Sequence, residues 1–250
     1  MTTQIQSFLT RGLKPLLLAT AILSLAPAST ARAGNGNQGN PGILPPQAQP
    51  HGKSYGEWAV KWWQWVMSIP ADRNPLTDTT GAFAAEDQSG PVWFAAGTFG
   101  GSAERSYTMP TGKAIFLPVF NWIFGASVSD CEPTVSGVPC VVCDLQALAA
   151  ANTEAADLLE VSIDGVSVKN VRAYRAASPG PFPVTYPENS VIGVEAGTYF
   201  PQVADGYWLM LAPLAKGAHE IRIHVRAPAT SYGLIEFAVI HHITVTPPRP

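Results

Sequence analysis

Val161-Ser162-Ile163-Asp164-Gly165-Val166-Ser167-Val168 alternates apolar and polar residues on both sides of an Asp-Gly pair. A two-residue turn between right-twisted strands needs positive φ at its centre, which Asp and Gly supply at low cost. The octapeptide therefore predicts a tight β-hairpin. The pattern continues outward from it. Tyr207 to Leu211 is an apolar strand, and Lys216-Gly217 turns into His219 to Arg226, HEIRIHVR. There Ile221, Ile223 and Val225 share one face while Glu220, Arg222, His224 and Arg226 share the other, as in a sheet wet on one side. Leu234 to Thr246 predicts a long closing strand. Nearer the N-terminus, Val92 to Ala96, Ser106 to Met109 and Lys113 to Trp122 predict three more, and Pro118 puts the last at an edge or a bulge. Pro179 to Pro187 reads as a Pro-rich loop. Many short strands joined by turn residues predict a mainly β fold, a β-sandwich of immunoglobulin-like or jelly-roll type.

Two helices are expected beside it. In Ser54 to Ser68, Ser54 and Glu57 form a capping box, each side chain meeting the other residue's free N–H. Tyr55, Trp58, Trp62, Trp65 and Ile69 fall 3 or 4 apart and make one apolar stripe, widened by Trp63 and Val66, before Pro70 stops the helix. The second helix is Ala-rich, runs from Asp144 to about Glu160, and is inserted between strands.

The N-terminal end of the chain predicts export. Arg11 and Lys14 precede an apolar core, Pro15 to Ala26, and Ala31-Arg32-Ala33 has the small-x-small pattern of a signal peptidase site. Residues 1–33 are expected to be removed after Ala33, leaving Gly34 first. The core is shorter than the roughly 20 residues that cross a bilayer, which disfavours a retained anchor. Residues 34–50, rich in Gly, Asn, Gln and Pro, read as a disordered leader, and 51–250 as one domain. Of 15 Lys and Arg, three leave with the signal (Arg11, Lys14, Arg32), against 18 Asp and Glu that all stay. An acidic chain of this kind excludes nucleic acid and anionic membrane as partners. The three cysteines, Cys131, Cys140 and Cys143, meet an oxidising compartment after export. Cys131–Cys140 is the preferred bridge and Cys131–Cys143 the alternative.

Trp58-x-x-x-Trp62-Trp63-x-Trp65, Gln88 to Phe94, Gly97 to Gly101, Glu104-Arg105, Pro110 to Lys113, Asp205 to Trp208 and Gly217-x-His219 together resemble an uncharacterised group of exported bacterial proteins. The resemblance covers most of the mature chain. It implies export and a Trp-rich N-terminal helix followed by a β-sandwich, and it carries no activity.

Three sets of residues are candidates for chemistry. Trp93, Trp122 and Trp208 lie outside the first helix and offer indole faces on which a sugar ring could stack, against the alternative of core packing. His224 and His242 would reach one metal if their strands pair, while His241 shares a face with Phe237, Val239, Ile243 and Val245 and reads as buried. Glu104 and Arg105 adjoin the Gly100-Gly101 pair and would form a general base beside a carboxylate-binding guanidinium, unless Arg105 only ties down its loop. Hydrolase elbows, phosphate loops and dinucleotide fingerprints are absent, and no cofactor follows from the sequence. The leading expectation is a secreted or periplasmic binding protein for a glycan or other extracellular small molecule. The alternatives are an extracellular enzyme using Glu104 and Arg105, with or without a metal, and a structural component of the cell surface or matrix.

Overall fold

The computed structural model describes residue 40, residues 42–125 and residues 142–248. The signal sequence and the cysteine bridge read from the sequence lie outside the described residues. Among these residues the strands are β1 (Val92–Phe94), β2 (Ala103–Pro110), β3 (Ala114–Gly125), β4 (Leu158–Ile163), β5 (Val166–Ser167), β6 (Arg175–Ala177), β7 (Phe182–Tyr186), β8 (Gly197–Leu211), β9 (Gly217–Thr230) and β10 (Gly233–Thr246). The helices are α1 (Tyr55–Ser68) and α2 (Val142–Glu154). The strands form two facing mixed sheets, as a β-sandwich requires. In one the order is β1-β3-β8-β6, with β7 also on β8; in the other it is β2-β10-β9-β4-β5. Each holds one parallel pair, β1 with β3 and β2 with β10.

The predicted hairpin is β4–β5. Asp164 and Gly165 both take positive φ, 49° and 76°, as the tight turn needs. The predicted first helix is also present. The Ser54 hydroxyl accepts from the Glu57 N–H at 3.2 Å and the Glu57 carboxylate accepts from the Ser54 N–H at 2.7 Å. At its other end Asn74 donates to the carbonyls of Val66 and Ile69, at 2.7 and 2.8 Å, and so caps the chain where Pro70 forbids a further turn. The Trp stripe packs on the outer face of the first sheet, Trp62 against Trp208 with ring centres 5.6 Å apart. Gly56 allows the close approach: a β-carbon there would overlap the carbonyl oxygen of Ala177. The inner face of that sheet meets the second sheet through pairs such as Trp93–Tyr107 and Phe120–Phe237. Within the described residues α1, the first sheet and the second sheet thus lie in three successive layers.

Three boundaries differ from the sequence reading. The stretch read as a disordered leader is attached from Asn40 onward wherever it is described. Ile43 is buried against Leu211, the Leu44 N–H donates to Met210 at 2.8 Å, and the Tyr55 hydroxyl donates to the Leu44 carbonyl at 2.6 Å. Two apolar residues in a polar run suffice to anchor it, because the end of β8 offers free backbone groups. The second helix ends at Glu154 instead of running to Glu160, since Leu158 to Ile163 pairs with β9 and sheet formation there outweighs helix propensity. The Pro-rich loop contains β7, whose Phe182, Val184 and Tyr186 turn inward while Pro183 and Thr185 stay exposed.

Candidate functional site

Adjacent residues of a strand face opposite ways, and on β2 this separates the proposed catalytic pair. Glu104 points outward, where its carboxylate takes up His242 Nε2 at 2.8 Å. Arg105 points inward and is 1% exposed. Its guanidinium donates to four carbonyls: Asp78 at 2.6 Å, Ala96 at 2.9 Å, Pro75 at 3.1 Å and Gly97 at 2.9 Å. Burial pulls the guanidinium down from its usual range, with the nearby charge of Asp78 opposing. Arg105 therefore stitches the 75–78 and 96–97 segments to β2 and reaches no substrate. The expectation of a catalytic Glu104–Arg105 pair is corrected to a buried structural arginine beside an exposed acid.

The histidine pair is also divided. His224 stands opposite Ala238 and His242 opposite Glu220, so the two are four positions apart along the ladder, roughly 13 Å. His224 lies between Glu160 and Glu236, at 3.4 and 3.1 Å. Together with Glu104–His242, Arg222–Glu220 and Arg226–Asp157, these make an outward-facing ladder of hydrogen-bonded acidic and basic side chains. Among the described residues no three His, Cys, Asp or Glu side chains converge as metal ligands. A shared site of His224 and His242 is therefore not formed. His241, as its face implied, is fully buried, with Nδ1 3.3 Å from the Tyr107 hydroxyl.

Trp93 and Trp208 cannot present a face to a sugar. Trp93 is buried and stacks on Tyr107; Trp208 is buried between Trp62 and Phe116 and donates to the Ala176 carbonyl. Their role is core packing. Trp122 alone of the three is half-buried, and it lines a pocket of about 730 Å³.

That pocket follows from strand lengths. β1 pairs with β3 only as far as Phe116, yet β3 continues to Gly125. Beyond Phe116 no strand among the described residues pairs with that edge. The chain leaves β1 and crosses at Gly97 to Gly100 to reach the second sheet. There, β2 begins opposite Val239, leaving Gly233 to Ala238 of β10 without a strand on the same side among the described residues. Every residue from Pro118 to Ile123 lines the pocket, as does every residue from Leu234 to Phe237. One face of a strand would expose only alternate residues, so the pocket runs along strand edges. Trp63 and Met67 of α1 close one side and Phe237 and Val239 of the second sheet the other.

Its walls are apolar, and Glu236, already paired with His224, is the one charged residue among the lining groups. Four large apolar side chains ring the mouth while exposed to water: Tyr232 at 68%, Leu234 at 64%, Phe99 at 53% and Ile192 at 44%. Trp122 stacks nearly parallel with Tyr232 and Phe124, at centroid distances of 5.3 and 5.9 Å, so its ring surface is already engaged. The indole N–H groups of Trp63 and Trp122 have no acceptor among the described residues.

Comparison with known proteins finds no family model, curated protein or solved structure that matches this chain. Function is therefore read from the pocket. Its rim residues were missed in the sequence because Phe99, Ile192 and Tyr232 sit in turns and loops and Leu234 stands at the very start of β10, just after a turn. The available signal was a large apolar residue beside glycine, as in Thr98-Phe99-Gly100 and Tyr232-Gly233-Leu234.

Proposed function

We propose that this chain is an exported binding protein whose ligand occupies the pocket along the open edge of β3. One observation carries the reading. Of the seven large apolar side chains exposed among the described residues, four ring this one opening. Scattered singly they would need no explanation, but gathered at a concave apolar site they mark a place where something binds. The lining favours an apolar ligand over the glycan expected from the sequence. A sugar would set most of its hydroxyls against apolar side chains, at roughly 1–3 kcal/mol for each left unpaired, and it would find the Trp122 ring already stacked.

Melting of the mature chain in the presence of straight-chain alcohols and soluble glycans tests this reading. An alcohol at 100 times its dissociation constant adds about 2.7 kcal/mol, and the melting temperature rises by several degrees. The rise is lost in the double variant Tyr232→Ala, Leu234→Ser. Stabilisation by a glycan alone contradicts the choice of ligand class. Stabilisation that survives in the variant contradicts the site. Export is tested separately: N-terminal sequencing of the protein recovered outside the cytoplasm starts at Gly34, and a chain starting at Met1 contradicts it.

The unpaired edge also favours a second reading, a structural component that assembles through it. That reading expects no shift with any small ligand and an oligomer that grows with concentration.

A further inference from the structure

We infer that the occupant of the pocket is an extended polypeptide segment, added as a further strand to the open edge of β3. The inference rests on the reading that the pocket is the binding site, and it goes further by naming the chemistry of what enters.

Three other edge strands of the two sheets, β2, β5 and β7, are guarded. β2 is covered on its outer side, where the Ser106 N–H donates to the Thr80 carbonyl at 2.8 Å and Gly81 lies against Ser106. β5 is two residues long. β7 carries Pro183 on an exposed position, which blocks ladder formation. Among the strand-pairing features of the described residues, β3 is protected at the start of its open stretch, by Pro118 and by the register shift between Pro118 and Phe120. From there Phe120-Asn121-Trp122-Ile123-Phe124-Gly125 runs for six residues without a charge, about 20 Å of strand. Strand edges normally avoid partners with charge, proline or shortness, and this stretch has none of the three.

The pocket is shaped around that edge. It extends from α1 on one side of the first sheet to the second sheet on the other, so its floor is the β3 backbone, with apolar walls on both sides. Backbone N–H and C=O groups alternate along a strand, so half of those on Phe120 to Gly125 point away from β8, and those on Phe120 to Ile123 do so in the pocket. An acyl chain would fill the walls and leave these groups unpaired. An extended peptide pairs them, and its side chains, alternating up and down, fill the walls above and below. Because the lining has one charged group, already paired, the fitting segment is uncharged, with an apolar residue at every second position for one wall and, between them, residues such as Thr that present a methyl group to the other. Phe99 and Tyr232 then close over it at the mouth.

The test uses the mature protein and the peptide acetyl-Thr-Val-Thr-Val-Thr-Val-amide. Two versions of it, N-methylated at alternate residues, each block one peptide edge. Calorimetry is expected to show one-to-one binding of the parent peptide and at least tenfold weaker binding of one methylated version. Amide exchange in residues 120–125 is expected to slow when the parent binds. Ile123→Lys, which puts a charge on the edge, abolishes binding while leaving the melting temperature near that of the wild type. If that variant does not fold, Tyr232→Ala is expected to weaken binding from the rim. Equal binding of all three peptides, or no slowing at 120–125, overturns strand addition while the apolar pocket stands. So does binding of alcohols without any peptide binding. Failure of both ligand types overturns the pocket reading itself. Slowing at 120–125 that appears on concentrating the protein without peptide assigns the edge to a second copy and also overturns the proposal.

Discussion

Arg105→Met is expected to lower stability by about 4 kcal/mol or more, enough to leave little folded protein at 37 °C. The guanidinium is fully buried and pairs with four carbonyls from two separate segments. Removing it strands buried acceptors at roughly 1–3 kcal/mol each, and a typical domain holds only about 5–15 kcal/mol in reserve. Methionine fills much of the volume and offers no donor, so the loss measures the hydrogen bonds more than a cavity. Arg105→Lys is not expected to rescue, because an ammonium group is a single point and cannot reach four acceptors spread around a planar fork. Denaturant unfolding of the three proteins checks this. A Met variant within 1 kcal/mol of wild type would show that the four bonds are not what holds β2 to the 75–78 segment.

Acid is expected to weaken the fold through His241 before the carboxylates take part. Burial first, and then the charge of Arg105, pull this histidine from its usual 6.5 down to about 3. Tyr107 packs against it, and burial pushes the phenol up so that it stays neutral. In the unfolded chain His241 takes up a proton near pH 6.5; in the folded chain it does so only near 3. Its contribution is thus complete above about pH 6.5 and is lost progressively as pH falls toward 3, with a slope approaching 1.4 kcal/mol per pH unit. Asp78 adds to the loss only lower down. Burial would raise its carboxyl, but hydrogen bonds from Phe83, Thr80 and Gly81 outweigh that and hold it below the ordinary carboxylate range. The window from pH 6.5 to 4.5 therefore separates the loss through His241 from that through Asp78. His241→Gln keeps a polar group beside Tyr107 and does not titrate. Its stability is expected to fall less steeply than that of the wild type across that window, the difference being the slope due to His241. Parallel slopes in the two proteins would place the lost protonation elsewhere.

Local rules read much of this molecule correctly from its sequence, and the pocket shows where they stop. The Asp164-Gly165 hairpin, the capping box at Ser54 and the burial of His241 each follow from spacing along one segment. The same alternation applied to Ala103 to Met109 separates Glu104 from Arg105, and it places Arg105 among the apolar residues of β2. That arginine was therefore readable as structural. The distance between His224 and His242 was not readable in this way, because it depends on how β9 and β10 align across the Ser231 to Gly233 turn. The pocket depends on still less local facts: β1 stops at Phe94 and β2 starts at Ala103, so two longer strands outrun their partners on the same side. Composition does not encode where a neighbour ends. A helix reading over Leu158 to Glu160 failed for the same reason, since pairing with β9 decided the matter.

Binding at the open edge of β3 is tested most directly by the indole N–H resonances of the protein labelled with ¹⁵N at its seven tryptophans. Trp58, Trp62, Trp65 and Trp208 donate to backbone carbonyls and Trp93 lies in the core, whereas Trp63 and Trp122 line the pocket. On adding the peptide or alcohol that raises the melting temperature, the resonances of Trp63 and Trp122 are expected to move and the other five to stay. A ligand that stabilises the protein while leaving Trp122 unmoved would contradict the site.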